Sequence, residues 1–230
     1  MKIEQRLFVA GAEIPIVSFS LTLDAAAPGR GVFSVRSETA IAGDVRLYVG
    51  LNGEPAARYF SGVVTRCEKI DLRQRRLLVR EYGEALLARV PIALRNSTLR
   101  RVIELVSEHT GVGFRISGEW ADKSVPHFIN SGTGRAALGL VGALSGVDDF
   151  TTAFNADGSV YLGPRSELKL RRKVIALDAR MFTALSAAGA DLPFLPALRP
   201  GMAIRIGDGE DRSIAQINVS GEKMRIAFAS

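Results

Sequence analysis

The chain is poor in cysteine and histidine, which narrows the chemistry it can perform. It contains one cysteine, Cys67, and two histidines, His109 and His127, among 230 residues. A single cysteine excludes an intramolecular disulfide. The histidines lie eighteen residues apart with no cysteine near either, which does not fit the ligand spacing of a zinc site. We expect no metal, no cofactor and no catalytic residue.

Long apolar runs are also absent, and we expect no leader sequence. The first residues, Met1 to Gln5, show no signal-peptide pattern, and no apolar run approaches the roughly 20 residues of a membrane-spanning helix. We therefore expect synthesis in the cytoplasm and no integral membrane segment. With 47% apolar and 23% charged residues, the composition is that of a folded protein rather than a disordered one.

The charge balance is basic, at +6, and rests mainly on arginine. The densest runs are residues 73–76 and 169–173. Such a chain could bind nucleic acid, an anionic membrane surface or an acidic protein. Because no aromatic residues interleave with either run as stacking platforms, we interpret both as solvated turns or faces and predict no specific nucleic-acid partner.

Motifs that would support catalysis are weak. Residues 131–135, Ser-Gly-Thr-Gly-Arg, lack the lysine and spacing of a phosphate-binding loop and indicate a capped helix start. The acidic pairs Asp148-Asp149 and Glu210-Asp211 lie in predicted turns, and adjacent acids in a turn usually both face water. Trp120 could stack a sugar, but a lone tryptophan more often covers a small core. We predict that the protein is not an enzyme, with a cell-wall hydrolase as the minor alternative.

The two ends of the chain carry the pattern of short strands. Alternating apolar and polar residues separated by Gly- and Pro-containing turns predict a β-barrel or sandwich in residues 1–92 and a further β segment in residues 165–230. Whether these form one barrel or two stays open at this point. The principal predicted strands lie at residues 7–9, 19–23, 32–35, 45–49, 57–64, 76–80, 174–177, 202–206, 214–219 and 224–228.

The middle of the chain, residues 93–164, has a helical period instead. Ser97 is a plausible N-cap for a helix over residues 98–109 that buries Leu99, Val102, Ile103 and Val106. Thr133 caps a second helix, whose buried face is predicted to be Ala137, Leu138, Val141 and Leu144. Short strands and a hairpin around Asp157-Gly158 complete a small sheet with both helices on one face. The predicted fold class is α+β, with β-barrel-like N- and C-terminal segments flanking a small α/β domain.

The central segment resembles the small α/β domains of secretins and of the signalling segments of TonB-dependent receptors. The stretches that carry this resemblance are residues 99–111, 114–116, 133–144 and 157–163. With its β-rich flanks, the chain is also similar to the baseplate hub proteins of tailed phages, the late-control family. The stretches that carry that resemblance are Phe60-Ser61-Gly62-Val63-Val64, residues 82–87, Leu198-Arg199-Pro200-Gly201-Met202, residues 214–219 and residues 224–228.

The hub resemblance implies a structural protein of the virion tail tip. Its relatives form homo-oligomers, here expected to be trimers, that join the tail tube or distal tail to a central spike or fibre. In that setting barrels from neighbouring copies pack into a ring. The secretin-like resemblance implies an alternative, a ring-forming or partner-binding module of an envelope secretion system.

Overall fold

The computed structural model describes residues 2–168 and 174–229, so the predicted basic run at residues 169–173 lies outside the described residues. The fold is mostly β, with 51% strand and 18% helix, consistent with the predicted α+β class. The chain divides into two compact units, Met1–Glu81 with Lys173–Ser230, and Tyr82–Arg172. The boundaries predicted after residues 92 and 164 stay predictions.

In the described part of the chain, eighteen strands and two α-helices make up the regular structure, together with short 3₁₀ turns. In chain order they are β1 (Ile3–Val9), β2 (Ala12–Ile14), β3 (Ile16–Asp24), β4 (Arg30–Arg36), β5 (Asp44–Leu51), β6 (Ala57–Lys69), β7 (Gln74–Glu81), β8 (Ile92–Thr98), α1 (Leu99–Thr110), β9 (Phe114–Ile116), β10 (Ser124–Asn130), α2 (Gly134–Ser145), β11 (Phe150–Phe154), β12 (Val160–Pro164), β13 (Ile175–Leu177), β14 (Ala184–Leu185), β15 (Gly189–Pro193), β16 (Ala203–Ile206), β17 (Asp211–Ser220) and β18 (Lys223–Phe228).

The first unit is built on one large sheet with the order β14-β15-β18-β17-β3-β4-β7-β6-β5-β1-β2. Its curvature follows from one short link. Only Pro15 separates β2 from β3, so the ends of these strands lie within about 7 Å. In a flat sheet their six-step separation would place them roughly 29 Å apart, at about 4.8 Å a step. The sheet must therefore curl.

The inward side of this curled sheet forms a single apolar core. Strand alternation directs every second residue to the same side, as in β4, where Phe33 and Val35 are buried and Arg30 and Arg36 are exposed. The core includes phenylalanines and aliphatic residues from both ends of the chain, among them Leu7, Phe19, Phe33, Leu47, Phe60, Leu77, Phe194, Ile204, Ile217 and Ile226.

Pairing of β17 with β3 joins the C-terminal strands to the N-terminal ones. The strands are antiparallel, with Val219 opposite Leu21 and Ile217 opposite Leu23. All four of these side chains are buried. The two β-rich ends of the chain therefore belong to one sheet, which resolves the alternative that the sequence left open.

In the second unit, α1 begins one residue later than predicted. Thr98, not Ser97, is the N-cap, and its hydroxyl accepts a hydrogen bond from the Arg101 N–H at 3.2 Å. Ser97 instead lies in β8, opposite Val125 of β10. The strand leads directly into the helix, which leaves no turn to mark the boundary in sequence. The buried face of α1 is confirmed at Leu99, Val102, Ile103 and Val106.

The second helix is confirmed with one correction. Thr133 caps α2, accepting a hydrogen bond from the Ala136 N–H at 3.1 Å, and Gly146 ends it in the left-handed conformation. Ala137, Leu138 and Val141 are buried, but Leu144 is exposed. In the last turn Ser145 occupies the buried position instead, and its hydroxyl donates to the Gly142 carbonyl oxygen at 2.7 Å.

The strands of the second unit form two sheets rather than the one small sheet that we predicted. β8 and β10 form an antiparallel pair, and β9, β12 and β11 form a three-stranded sheet in which β9 is parallel to β12. β8 was not predicted, because residues 92–98 contain few apolar residues in alternation. Both sheets contribute to a core of their own with α1 and α2, including Ile92, Phe128, Val160 and Leu162.

β6 and β7 pack closely at Gly62, and we therefore predict that a side chain at this position destabilises the fold. A Cβ atom at this position would lie 2.1 Å from the carbonyl oxygen of Arg80, and backbone cannot yield as a flexible side chain can. We expect Gly62→Ala to lower the free energy of unfolding, measured in urea, by about 2 kcal/mol. Gly139→Ala in α2 has open space around its Cβ and should raise it by about 0.5–1 kcal/mol. Equal effects at the two sites would contradict the packing argument.

Candidate functional site: the free edges of the large sheet

The two histidines and the cysteine singled out by sequence lie on three different elements, α1, β10 and β6. His109 is exposed near the end of α1, with Nδ1 2.8 Å from the Leu105 carbonyl oxygen. His127 is exposed on β10, and Cys67 is half-buried on β6, where its sulfur accepts from the Ile41 N–H at 3.5 Å. Within residues 2–168 and 174–229, no three His, Cys, Asp or Glu side chains are grouped so that they could hold a metal ion.

One member of each acidic pair and the tryptophan also have structural contacts. Asp149 accepts the Ser166 N–H at 2.9 Å, and Asp211 forms an ion pair with Arg205 at 2.8 Å. Trp120 packs edge-on against Phe150, with ring centroids 5.1 Å apart, and its indole N–H donates to the Ser117 carbonyl oxygen. These contacts give each group a local role in folding.

What the structure leaves unoccupied is backbone at the ends of the large sheet. Within the described chain, β2 pairs only with β1 and β14 only with β15. An edge strand presents a row of N–H and C=O groups that a further strand can pair with. Leu185 of β14 is 50% exposed, so this edge adds an apolar side chain to the open backbone.

The β14 edge is held in place by polar contacts with the neighbouring strands. Arg225 of β18 makes two hydrogen bonds to the Asp191 carboxylate of β15, at 2.7 and 3.0 Å, and this ion pair lowers the pKa of Asp191. Arg212 of β17 donates to the Ser186 carbonyl oxygen at 3.1 Å. A shallow cleft lies beside β14 and is lined by residues of β14, β15, β17 and β18. The edge is therefore an ordered surface.

The connector after β15, residues 194–201, is fixed to the sheet by aromatic and cationic contacts. The rings of Phe194 and Tyr59 meet edge-on with centroids 5.0 Å apart. The Arg199 guanidinium lies over the Tyr59 ring, 4.4 Å from its centroid, a favourable cation–π geometry. The Gly201 N–H donates to the Ile214 carbonyl oxygen at 2.7 Å. Leu192 and Pro193 belong to β15, and Arg199 anchors the connector that follows this strand.

A buried carboxyl lies in the same region of the sheet. Glu81, at the end of β7, accepts the Gly29 N–H at 2.6 Å, and its own N–H donates to the Gly29 carbonyl oxygen at 3.0 Å. Burial raises the pKa of Glu81, although the Gly29 hydrogen bond and the charge of Arg199 act in the opposite direction. Burial also raises the pKa of Tyr59 to about 12, so the phenol stays neutral at physiological pH.

Sequence reasoning missed these features. β14 and β15 lie in residues 184–193, where Ala, Gly and Ser obscure strand alternation. Glu81 and Tyr59 looked like ordinary strand residues, and only their burial distinguishes them. One signal was available at Arg199, a lone charge in the apolar, proline-rich stretch Leu192–Gly201. The arrangement offers pairing surfaces and a braced connector.

Sequence comparison finds a partial relative from a bacteriophage. The chain is 22% identical over 223 residues to an uncharacterized 58.7 kDa protein in the lys 3′ region of Haemophilus phage HP1. The match covers 96% of the chain and 41% of that protein, so the chain spans less than half of its relative. No protein-family model matches the chain.

Solved structures of tail proteins share the fold. The 43 kDa tail protein of prophage MuSo2 from Shewanella oneidensis superposes with a TM-score of 0.72 at 12% identity, covering 100% of this chain and 98% of that one. A tail protein from Neisseria meningitidis gives 0.68 at 8% identity, with 99% and 96% covered. The E. coli c3393 protein, a component of the type VI secretion system, gives 0.62 at 12% identity, with 96% and 76% covered. The chain therefore has the fold of these proteins.

No helix in the described part of the chain has both the length and the apolar character needed to cross a bilayer.

The buried Glu81 carboxyl makes a prediction about pH. Because its pKa is raised in the folded state, folding favours the protonated acid. Its contribution is fully present below the unfolded pKa, near 4.5, and is lost as the pH rises through the folded value. Glu81→Gln keeps an acceptor for the Gly29 N–H without the charge. We expect the unfolding free energy of Glu81→Gln, relative to the original protein, to increase with pH above about 4.5.

Urea unfolding at a series of pH values measures this difference. Glu54→Gln, the same substitution at an exposed position, is the matched control and should leave the pH dependence of stability in place. A relative stability of Glu81→Gln that stays flat or falls with increasing pH would show that burial does not control this carboxyl.

Proposed function

We propose that the protein is a structural subunit of a phage tail and acts at the baseplate hub, where it joins the tail tube to a central spike or fibre. The observation that carries the proposal is the large curled sheet with free edge strands at both ends. The fold shared with tail proteins supports the same assignment. The protein acts mechanically in this proposal, not as an enzyme.

The proposed assembly is a closed ring of identical copies, with three as the expected number. Head-to-tail contacts in a ring need two different surfaces on each copy, and the sheet offers two different ends, β14 and β2. Pairing the β14 edge of one copy with the β2 edge of the next would satisfy backbone groups that are otherwise open to aggregation. Residues 93–164 would buttress this ring as the secretin-like α/β domain.

The location that follows is the tip of the virion tail, after assembly in the cytoplasm of the host bacterium. The partners are further copies of this chain, proteins of the tail tube or distal tail, and a spike or fibre protein. The alternative is a ring-forming or partner-binding module of a secretion system. The likeness to the c3393 protein favours this alternative over a secretin, because that protein is a component of the type VI secretion system.

Affinity purification of the tagged chain from its producing cell, followed by mass spectrometry of the bound proteins, tests the proposal. We expect tail-tube, spike or other virion proteins among the partners. Secretion-system components without any virion protein would contradict the phage assignment and favour the alternative.

The β14 edge has its own prediction. Leu185→Lys places a charge on the free edge strand and should reduce the oligomer, measured by native mass spectrometry against a protomer of 24.7 kDa. Leu72→Lys is the matched control, because Leu72 is 77% exposed in the turn between β6 and β7. The original protein and Leu72→Lys should give trimers, whereas Leu185→Lys should give mainly monomers. Equal oligomer fractions in both variants would exclude β14 from the interface.

A further inference from the structure

Four arginines lie on the outward side of two neighbouring strands of the large sheet. Arg30 and Arg36 belong to β4, and Arg76 and Arg80 belong to β7. In both strands they occupy the positions that alternate with buried residues, so all four project from the same side of the sheet. We call this set of four side chains the basic face.

Among the residues that the structure describes, no carboxylate forms an ion pair with the arginines of the basic face. Nine ion pairs join other residues of the described chain, and none of them includes these four side chains. Arg30 is also directly opposite Arg80 in the ladder, and like charges in this relation destabilise a sheet. When a sequence retains a locally destabilising arrangement of this kind, the arrangement commonly lies at a functional site.

Acidic residues near the basic face are already engaged. Glu68 of β6, opposite Arg76 in the ladder, forms an ion pair with Arg66 at 3.0 Å. Asp24 of β3 accepts the Ala26 N–H at 2.7 Å and a hydrogen bond from the Gln216 amide at 3.2 Å. The arginine charge is therefore available to an external anion.

Hydroxyl groups adjoin the basic face on the side of β3. Ser20 is opposite Val32 and Ser18 is opposite Ser34, whereas Thr22, opposite Arg30, already donates its hydroxyl to Asn218 Oδ1 at 2.9 Å. Arginine together with serine and threonine is the usual set of side chains that contact nucleic-acid phosphates. The outward positions of β3, β4 and β7 include no aromatic ring, so the surface offers nothing for unpaired bases to stack on.

The four charges are arranged as two pairs. Arg30 is opposite Arg80, whereas Arg36 and Arg76 are diagonal neighbours. Arg76 and Arg80 are four residues apart along β7, which is about 14 Å in a strand. This separation is close to the roughly 12 Å width of the major groove of DNA, so the two pairs can reach phosphates on both sides of one groove.

We propose that the basic face binds the phosphate backbone of duplex DNA without sequence preference. The chemistry is charge neutralisation by arginine with hydroxyl contacts at the margin, and it involves no base readout. This function is independent of ring formation through the β14 edge. It also differs from the earlier expectation for the basic runs, because only Arg76 of this set belongs to one of them.

Fluorescence anisotropy with a labelled random duplex of about 24 base pairs tests the proposal at several salt concentrations. Each neutralised phosphate contributes about −0.9 to the slope of log affinity against log salt. Four contacts predict a loss of roughly 100-fold between about 50 and 200 mM salt. The double variant Arg30→Gln, Arg80→Gln should lose only about 10-fold over the same range and bind more weakly at low salt.

The matched control removes the same charge elsewhere. Arg95 and Arg165 are both exposed and have no ion pair within the described residues, so Arg95→Gln with Arg165→Gln should retain the slope of the original protein. An unchanged slope in the folded Arg30, Arg80 variant, checked by circular dichroism, would overturn the proposal. Should that variant fail to fold, Arg76→Gln alone must reduce the slope by about 0.9, and no reduction would overturn it equally.

Poly-L-glutamate distinguishes DNA from an acidic protein surface. At equal total charge we expect the duplex to bind at least about 10-fold more tightly, since a regular phosphate array fits both arginine pairs. Equal or tighter binding of poly-L-glutamate would assign the basic face to an acidic protein partner instead, and the DNA proposal would be wrong.

Discussion

The architecture of the first unit depends on the single residue that links β2 to β3. Pro15 leaves no room for a crossing loop, so two strands six places apart in the sheet order must meet end to end. The only way to satisfy this link is to curl the sheet, which turns alternate side chains into a shared interior. The burial of Phe33, Phe60 and Leu47 is a consequence of that closure.

A second constraint is the way the chain leaves and returns to this sheet. Residues 82–172 form a separate unit that lies in sequence between β7 and the C-terminal strands. β17 therefore pairs with a strand, β3, that is far from it in the chain. The buried pairs Val219–Leu21 and Ile217–Leu23 fix the register, because a one-residue slip would expose them. The connector that follows β15 is then braced by Arg199 on Tyr59.

The surfaces that remain support the proposal that the protein is part of an assembly. His109, His127 and Cys67 lie on different elements and belong to no metal-binding group within the described residues, whereas the large sheet has free strand edges and the four arginines of the basic face. Helix α1 covers its exposed face with ion pairs between Arg101 and both Glu104 and Glu108. On the basic face, by contrast, none of the four arginines has an ion pair within the described residues.

Local patterns in the sequence determined the elements of this protein. The alternation in residues 19–23 and 32–35 and the N-cap Thr133 depend only on neighbours within a few residues, and the structure confirms them. Three predictions from the sequence were wrong. The N-cap was placed at Ser97 and β8 was missed, because the strand leads directly into the helix. Leu144 was placed on the buried face, but the end of the helix leaves it exposed. Contacts between residues far apart in the chain set the partner of each strand, the sheet shared by both ends of the chain, the burial of Glu81 and the alignment of Arg30 with Arg80. Only the tertiary structure could decide these, since register and burial are properties of packed surfaces and no local period encodes them.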